Sequence, residues 1–316
     1  MRDPLVVVLL STAVIAGTPL LFAALGEILS ERAGVLNLGV EGMMLVGAVS
    51  GYIATVQSGN HWVGVIAALG AGGLMAAIHA FLSVTLRANQ VVSGLALTIF
   101  GTGLSAFLGK GYIGQPVPDV FKPVEVPVLS RIPYAGRIIF EHDSLVYLSF
   151  LLVIVIWIIV FKTRWGLNLR AVGENPAAAD SMGIPVYLTR YLCVISGGML
   201  AGLGGAYLSL AYAPTWAENM TAGRGWIAVA LVIFAVWHPW KALVGAYIFG
   251  GVDSLGFHIQ AMGDKALFLK DVSPFFLQML PYILTIIVLI LVTSETKKRR
   301  VGTPASLGLP YDREER

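Results

Sequence analysis

The chain has 316 residues, of which 57% are apolar and only 12% charged, and its formal net charge is +3. A charged share about half the ordinary one excludes a soluble globular domain, and so small a net charge argues against a nucleic-acid surface. The single cysteine, Cys193, leaves no disulfide framework and no cysteine metal cluster.

In chain order, apolar runs at about 5–26, 38–56, 62–85, 91–108, 144–161, 187–209, 225–238, 242–260 and 276–293 predict membrane-spanning helices. The expected fold class is all-α: a polytopic transmembrane helix bundle of about nine spans, occupying 1–296. The first run has Arg2 as its only basic n-region residue and is long for a signal-peptide core, so it reads as an uncleaved span. The seventh is short, bounded by Gly225 and by His238-Pro239, and fits either a half-helix or a full crossing.

Glu27, Glu31 and Arg32 form a polar break after the first span. Asn37 and Glu41 then follow one helical turn apart in a glycine-flanked apolar run. A charge at mid-bilayer costs about 2.5–3.5 kcal/mol on insertion scales, so Glu41 must face protein or water. Two readings stand side by side: a substrate-path element, or a polar lock between helices. Asn89, Ser93 and Thr98 make a second polar set around the start of the fourth span, and Asp253 is another embedded acid with the same two readings. Most tryptophans lie at run ends as an interfacial belt, with Trp216 or Trp226 the candidates for stacking on a planar solute. Glycines spaced as Gly47/Gly51 and Gly198/Gly202 predict close helix packing.

The 109–143 segment, with Pro116, Pro118, Pro123, Pro127 and Pro133, predicts an extended, ordered extracytoplasmic cap with short edge strands. The 162–190 segment is basic, and within it Asn175 and Pro176 open a short helix over 176–183 that Gly183 and Pro185 close. So short a helix is marginal alone. It is either a docking helix gripped by another protein or an ordinary loop turn. With the amino terminus outside, thirteen of the 21 Lys and Arg residues fall on the inner face, Lys297–Arg300 among them. The 297–316 tail, Pro-containing and charged, predicts disorder in the cytoplasm.

Catalytic chemistry has no foothold. The five histidines lack metal-ligand spacing, and Gly103–Lys110 misses the phosphate-loop pattern by one residue and lacks the following Ser or Thr. No cofactor, metal or nucleic acid is expected, and any ATP hydrolysis belongs to another chain.

Four stretches, GVLNLGVEGMMLVGA (34–48), ANQVVSGLALTIFGTGLSAFLG (88–109), TRWGLNLRAVGENPAAADSMGI (163–184) and GRGWIAVALVIFAVWHP (223–239), resemble the permeases of bacterial ABC importers of the ribose and branched-chain amino acid type. The match is nearest to the nucleoside and simple-sugar branch served by basic-membrane-protein-type lipoproteins. The resemblance implies a non-enzymatic permease in the inner membrane that pairs with a second permease, as a heterodimer, and with ATP-binding subunits fed by a substrate-binding lipoprotein. It implies ATPase coupling through Glu174, Asn175, Pro176, Ala178, Ala179, Asp180, Met182 and Gly183. The substrate path is expected at Asn37, Glu41, Asn89, Ser93, Thr98 and Trp226. The competing class is a stand-alone secondary transporter or channel, for which Glu41, Asp253 and His79 are the candidate coupling groups.

Overall fold

A computed structural model describes residues 4–127, 129–262, 276, 279–287, 290 and 302–313. The helices are α1 Leu5–Arg32, α2 Val40–Ser58, α3 His61–Ala80, α4 Gln90–Gly109, α5 Ala135–Ile139, α6 Ser144–Lys162, α7 Arg164–Glu174, α8 Pro176–Ser181, α9 Val186–Tyr207, α10 Arg224–Phe234 and α11 Pro239–Met262. Single π-turns extend α3 to Thr85 and α9 to Tyr212. Among the described residues, five helices are long and apolar enough to cross a membrane: Leu5–Arg32, His61–Thr85, Gln90–Tyr112, Ser144–Lys162 and Val186–Tyr212. The expected ninth span is described only at 276, 279–287 and 290, all helical, and Lys297–Arg300 lie outside the described residues.

Local chemistry explains five of these eleven starts. The side chains of Asn60, Asn89, Asp143, Thr163 and Asn175 each accept a backbone N–H in the first turn of α3, α4, α6, α7 and α8. These caps satisfy amides that a helix leaves unpaired at its amino end. The break expected after Gly26 does not occur: α1 continues through Glu27 and Glu31, both buried, to Arg32. Polar side chains extend a buried helix when the bundle supplies partners. Here the Trp237 indole N–H donates to Glu31 at 2.5 Å, and the Arg32 guanidinium donates to the Trp237 carbonyl at 3.3–3.4 Å.

The bundle is built around α9, against which α1, α2 and α3 pack. Small residues make this approach possible. A Cβ on Gly47 would collide with Gly202, one on Gly72 with the Gly198 carbonyl, and one on Gly205 with the Met44 carbonyl. Close backbone approach of this kind is what GxxxG spacing serves in membranes. Gly205→Ala is expected to destabilise the bundle by about 1–3 kcal/mol, because a main-chain carbonyl cannot swing aside as a side chain can. A thermal midpoint in detergent equal to that of the parent would show that α2 and α9 separate at no cost.

Within 109–143 the chain forms a two-residue antiparallel ladder, β1 Val124–Glu125 against β2 Glu141–His142. Isolated bridges tie Ile113 to Trp216 and Pro116 to Thr215. The His61 amide and ring both reach Asp119, holding its carboxyl below the usual range.

The tail departs from expectation. Residues 302–313 fold back on the bundle instead of forming part of a disordered segment. The Ser306 amide donates to the Gly173 carbonyl at 2.9 Å, and the Gly308 amide to the Gly34 carbonyl at 3.3 Å. Tyr311 packs on Tyr187, and Asp312 pairs with Arg87. Composition predicts disorder when a segment cannot build its own core. It is blind to a core supplied by distant residues.

Candidate functional site

Two regions collect the functional candidates. The first is the basic segment between α6 and α9. Asn175 accepts the Ala178 amide at 3.0 Å, and Pro176 occupies the first turn of α8, where its missing N–H costs nothing. Gly183 closes the helix at φ +82°, a conformation that favours glycine. One face of α8 is seated, with Ala179 buried among Val172, Val186 and Tyr311. The other is presented outward: Ala177, Ala178, Ser181 and Gly183 are exposed, and Met182 is 83% exposed. Glu174 is exposed beside the Ala305 amide, and Asp180 pairs with Arg313 at 2.9 Å.

Arg190 anchors this region. Its guanidinium is buried and donates to the Ala33 carbonyl at 3.2 Å, the Ser306 hydroxyl at 3.3 Å and the Leu309 carbonyl at 3.4 Å. One cation thus joins α9, the end of α1 and the folded-back 302–313 segment. Arg190→Met is expected to release that segment, leaving two carbonyls without their donor. Limited proteolysis should then cleave near Leu309 at least about tenfold faster, a difference of about 1.4 kcal/mol in local opening. An unchanged cleavage rate would mean that Tyr311 packing alone holds the segment.

The second region is the loop from Ala33 to Gly39 and the residues that enclose it. Irregular backbone inside a bundle requires a partner for each polar group, and other helices provide them here. The Leu36 amide donates to Gln90 at 2.7 Å, the Asn37 amide to Glu27 at 3.0 Å and the Thr98 hydroxyl to the Leu38 carbonyl at 2.9 Å. His79 bridges the Leu36 carbonyl and the Ser93 hydroxyl at 3.0 Å each. Because a carbonyl only accepts, the His79 Nε2 carries the proton and Nδ1 accepts from Ser93. Asn37 folds inward, accepting the Gly39 amide at 3.0 Å.

Glu41, at the start of α2, then caps α10. Its carboxylate accepts the Thr221 hydroxyl at 2.5 Å, the Gly223 amide at 2.8 Å and the Gly225 amide at 2.6 Å. A negative charge at a helix amino end is favourable, and Gly225 leaves room for it, since a Cβ there would collide with Glu41. Helix α10 has only 11 residues, about 16 Å of rise, or half a hydrocarbon core. Irregular chain over 213–223 precedes it.

Of the expected path residues, the structure brings Asn37, Ser93 and Thr98 together around one loop, with Glu41 next to it. Asn89 is exposed and caps α4, and Trp226 is half-buried on α10. Trp216 is fully buried against Gly109, which leaves no open face for a solute. Sequence reasoning singled out neither Thr221 nor Arg224. The Arg224 guanidinium donates to Asp253 at 2.8 Å and to the Thr221 carbonyl at 3.3 Å, over the Tyr212 ring. The signal was present: an acid embedded in an apolar span requires a cation nearby. Beside this pair lies a cavity of about 600 Å³ whose walls include Leu20, Asn219, Arg224, Phe249, Asp253 and Tyr282.

Residues 9–293 match the model of a family described as branched-chain amino acid transport system / permease component. The putative glucose ABC transporter permease protein of Haloferax volcanii is 44% identical over 97% of this chain and 98% of its own length. The guanosine ABC transporter permease protein of Bacillus subtilis is 35% identical, with 96% of each chain covered. The nucleoside ABC transporter permease protein of Lactococcus lactis is 36% identical over 90% of this chain and 92% of its own. No solved structure matches significantly.

Proposed function

This chain belongs to the branched-chain amino acid transport system permease-component family, and from that premise we propose that it moves a nucleoside or simple sugar across a cell membrane. As a multi-pass ABC permease it is a transport component, not an enzyme, and works with ATP-binding subunits and a substrate-binding protein. The single observation that carries the solute class is end-to-end similarity to relatives named for glucose, guanosine and nucleosides.

In this reading the chain crosses the inner membrane nine times. The irregular stretch 213–223 and α10 together make the seventh crossing. The amino terminus lies outside, and 109–143 caps the outer face. On the cytoplasmic side, 162–190 docks the ATPase, and Glu174, Asn175, Pro176, Ala178, Ala179, Asp180, Met182 and Gly183 form the coupling element. The support is geometric: a two-ended, capped helix seated by Ala179 offers Ala178 and Met182 to a partner. Asn37, Glu41, Asn89, Ser93, Thr98 and Trp226 frame the path; Asn37, Ser93 and Thr98 act on it by fixing the 33–39 loop, and Glu41 by fixing α10. The partner permease is a different chain, and the binding protein is a lipoprotein.

Gentle-detergent purification of the tagged chain from its native membrane should recover an ATPase, a second permease and a lipoprotein. An ATPase-free chain that still carried solute into liposomes would overturn the importer reading in favour of a secondary transporter.

A further inference from the structure

The amino end of α10 and the middle of α11 enclose the cavity beside Arg224 and Asp253. Asp253 is the fifteenth of 24 residues in α11 and Leu20 the sixteenth of 28 in α1. Both therefore lie about 21–23 Å along their helices, near mid-membrane depth. An ion pair at that depth is costly and is kept where it lines a solute or ion path. Small-molecule sites commonly measure about 300–1,000 Å³, so a volume of about 600 Å³ suits one compact solute.

The geometry points to this cavity as a binding site for a neutral ring bearing adjacent hydroxyls, with Arg224 and Asp253 as its polar contacts. The inference rests on the importer reading above and adds a site to it. The pair is internally neutral, and the third nearby charge, Glu41, spends its oxygens on Thr221, Gly223 and Gly225. Glu41 is also not part of the cavity wall, so a solute entering the cavity meets a balanced ion pair. A carboxylate accepts several hydrogen bonds, so Asp253 keeps acceptor capacity beyond what Arg224 uses. Two neighbouring hydroxyls on one ring match that arrangement. Leu20, Ile227 and Phe249 supply apolar walls for the ring faces. The edge of the cavity is also conformationally unusual: Asn219, Ala222 and Gly223 have φ of +55°, +47° and +82°. Non-glycine residues hold such angles only where the surroundings over-determine them, and such sites cluster at ligand clamps.

The test uses the assembled importer in lipid nanodiscs, carrying Asn219→Cys, with guanosine, glucose and leucine as probes. Cys193 is buried and stays silent to a charged thiol reagent. Saturating guanosine or glucose should slow labelling at Asn219→Cys about tenfold, while leucine leaves the rate unchanged. Adding Asp253→Asn should raise the concentration needed for protection about 10- to 100-fold, the loss of one charge-assisted hydrogen bond. Should that variant fail to assemble, Phe249→Trp narrows the cavity without touching the ion pair and should abolish protection. Equal labelling rates with every probe, or protection by leucine alone, would overturn the assignment. A parent complex that takes up guanosine with ATP but shows no protection sinks only this cavity. A parent complex with no ATP-driven uptake of any probe sinks the importer reading itself.

Discussion

Replacing Glu41 with leucine is expected to lower the thermal midpoint of the purified chain by on the order of 10 °C and to cut the yield of folded protein. Three donors, the Thr221 hydroxyl and the Gly223 and Gly225 amides, converge on this carboxylate in a buried setting. Each donor left unpaired costs about 1–3 kcal/mol. The low end applies to all three, because a chain unfolded within the membrane also finds partners. The sum, on the order of 3 kcal/mol, at about 2–4 °C per kcal/mol for a chain of this size, gives a shift on the order of 10 °C. Glu41→Gln should fall between leucine and the parent, since its amide keeps one acceptor and turns an N–H toward donors. The measurement is detergent thermostability alongside recovery of monodisperse protein. Undiminished stability combined with lost uptake would assign Glu41 a direct contact with solute and remove its role as the lock on α10.

The double change Ala178→Arg with Met182→Asp should weaken ATPase association on the order of 100-fold while leaving the permease stable. Ala178 is exposed, and Met182 is 83% exposed, so neither substitution disturbs the fold. At a docking surface the same two side chains become desolvated charges, which are among the costliest interface changes. Co-purification against thermostability separates the effects. Normal ATPase recovery would place the coupling contact elsewhere. A fall in thermal midpoint would mean that α8 is integral to the bundle. Ala179 is the internal control, because it is seated against Val172, Val186 and Tyr311 and its replacement by Arg should harm stability first.

How far the sequence could be read depended on the range of the interaction concerned. Helix α8 was legible to within two residues because Asn175, Pro176 and Gly183 act on their own neighbours. The short seventh element, expected between Gly225 and His238-Pro239, is found as Arg224–Phe234, with Gly223 at its start and the turn at Val236 and Trp237 after its end. Glu41 was visible as an embedded charge, but its partners are about 180 residues away in sequence, and no local pattern names them. The choice between lock and path was therefore open from sequence. Arg224 drew no attention because a cation at a span end normally marks topology. Its actual partner, Asp253, lies 29 residues further on and one helix over.

Hydrophobic run length, charge scarcity and capping residues were enough to determine a polytopic helical membrane protein, the position of most helices and the short helix of the 162–190 segment. They could do so because burial in lipid and first-turn capping are decided by a residue and its near neighbours. Only the tertiary structure decided that α1 runs on to Arg32, that Glu41 holds α10, that Arg224 meets Asp253 beside a cavity, and that 302–313 packs beneath α8. Each of these is a polar group whose cost of burial is removed by a partner far along the chain. That partner exists only once the helices have packed.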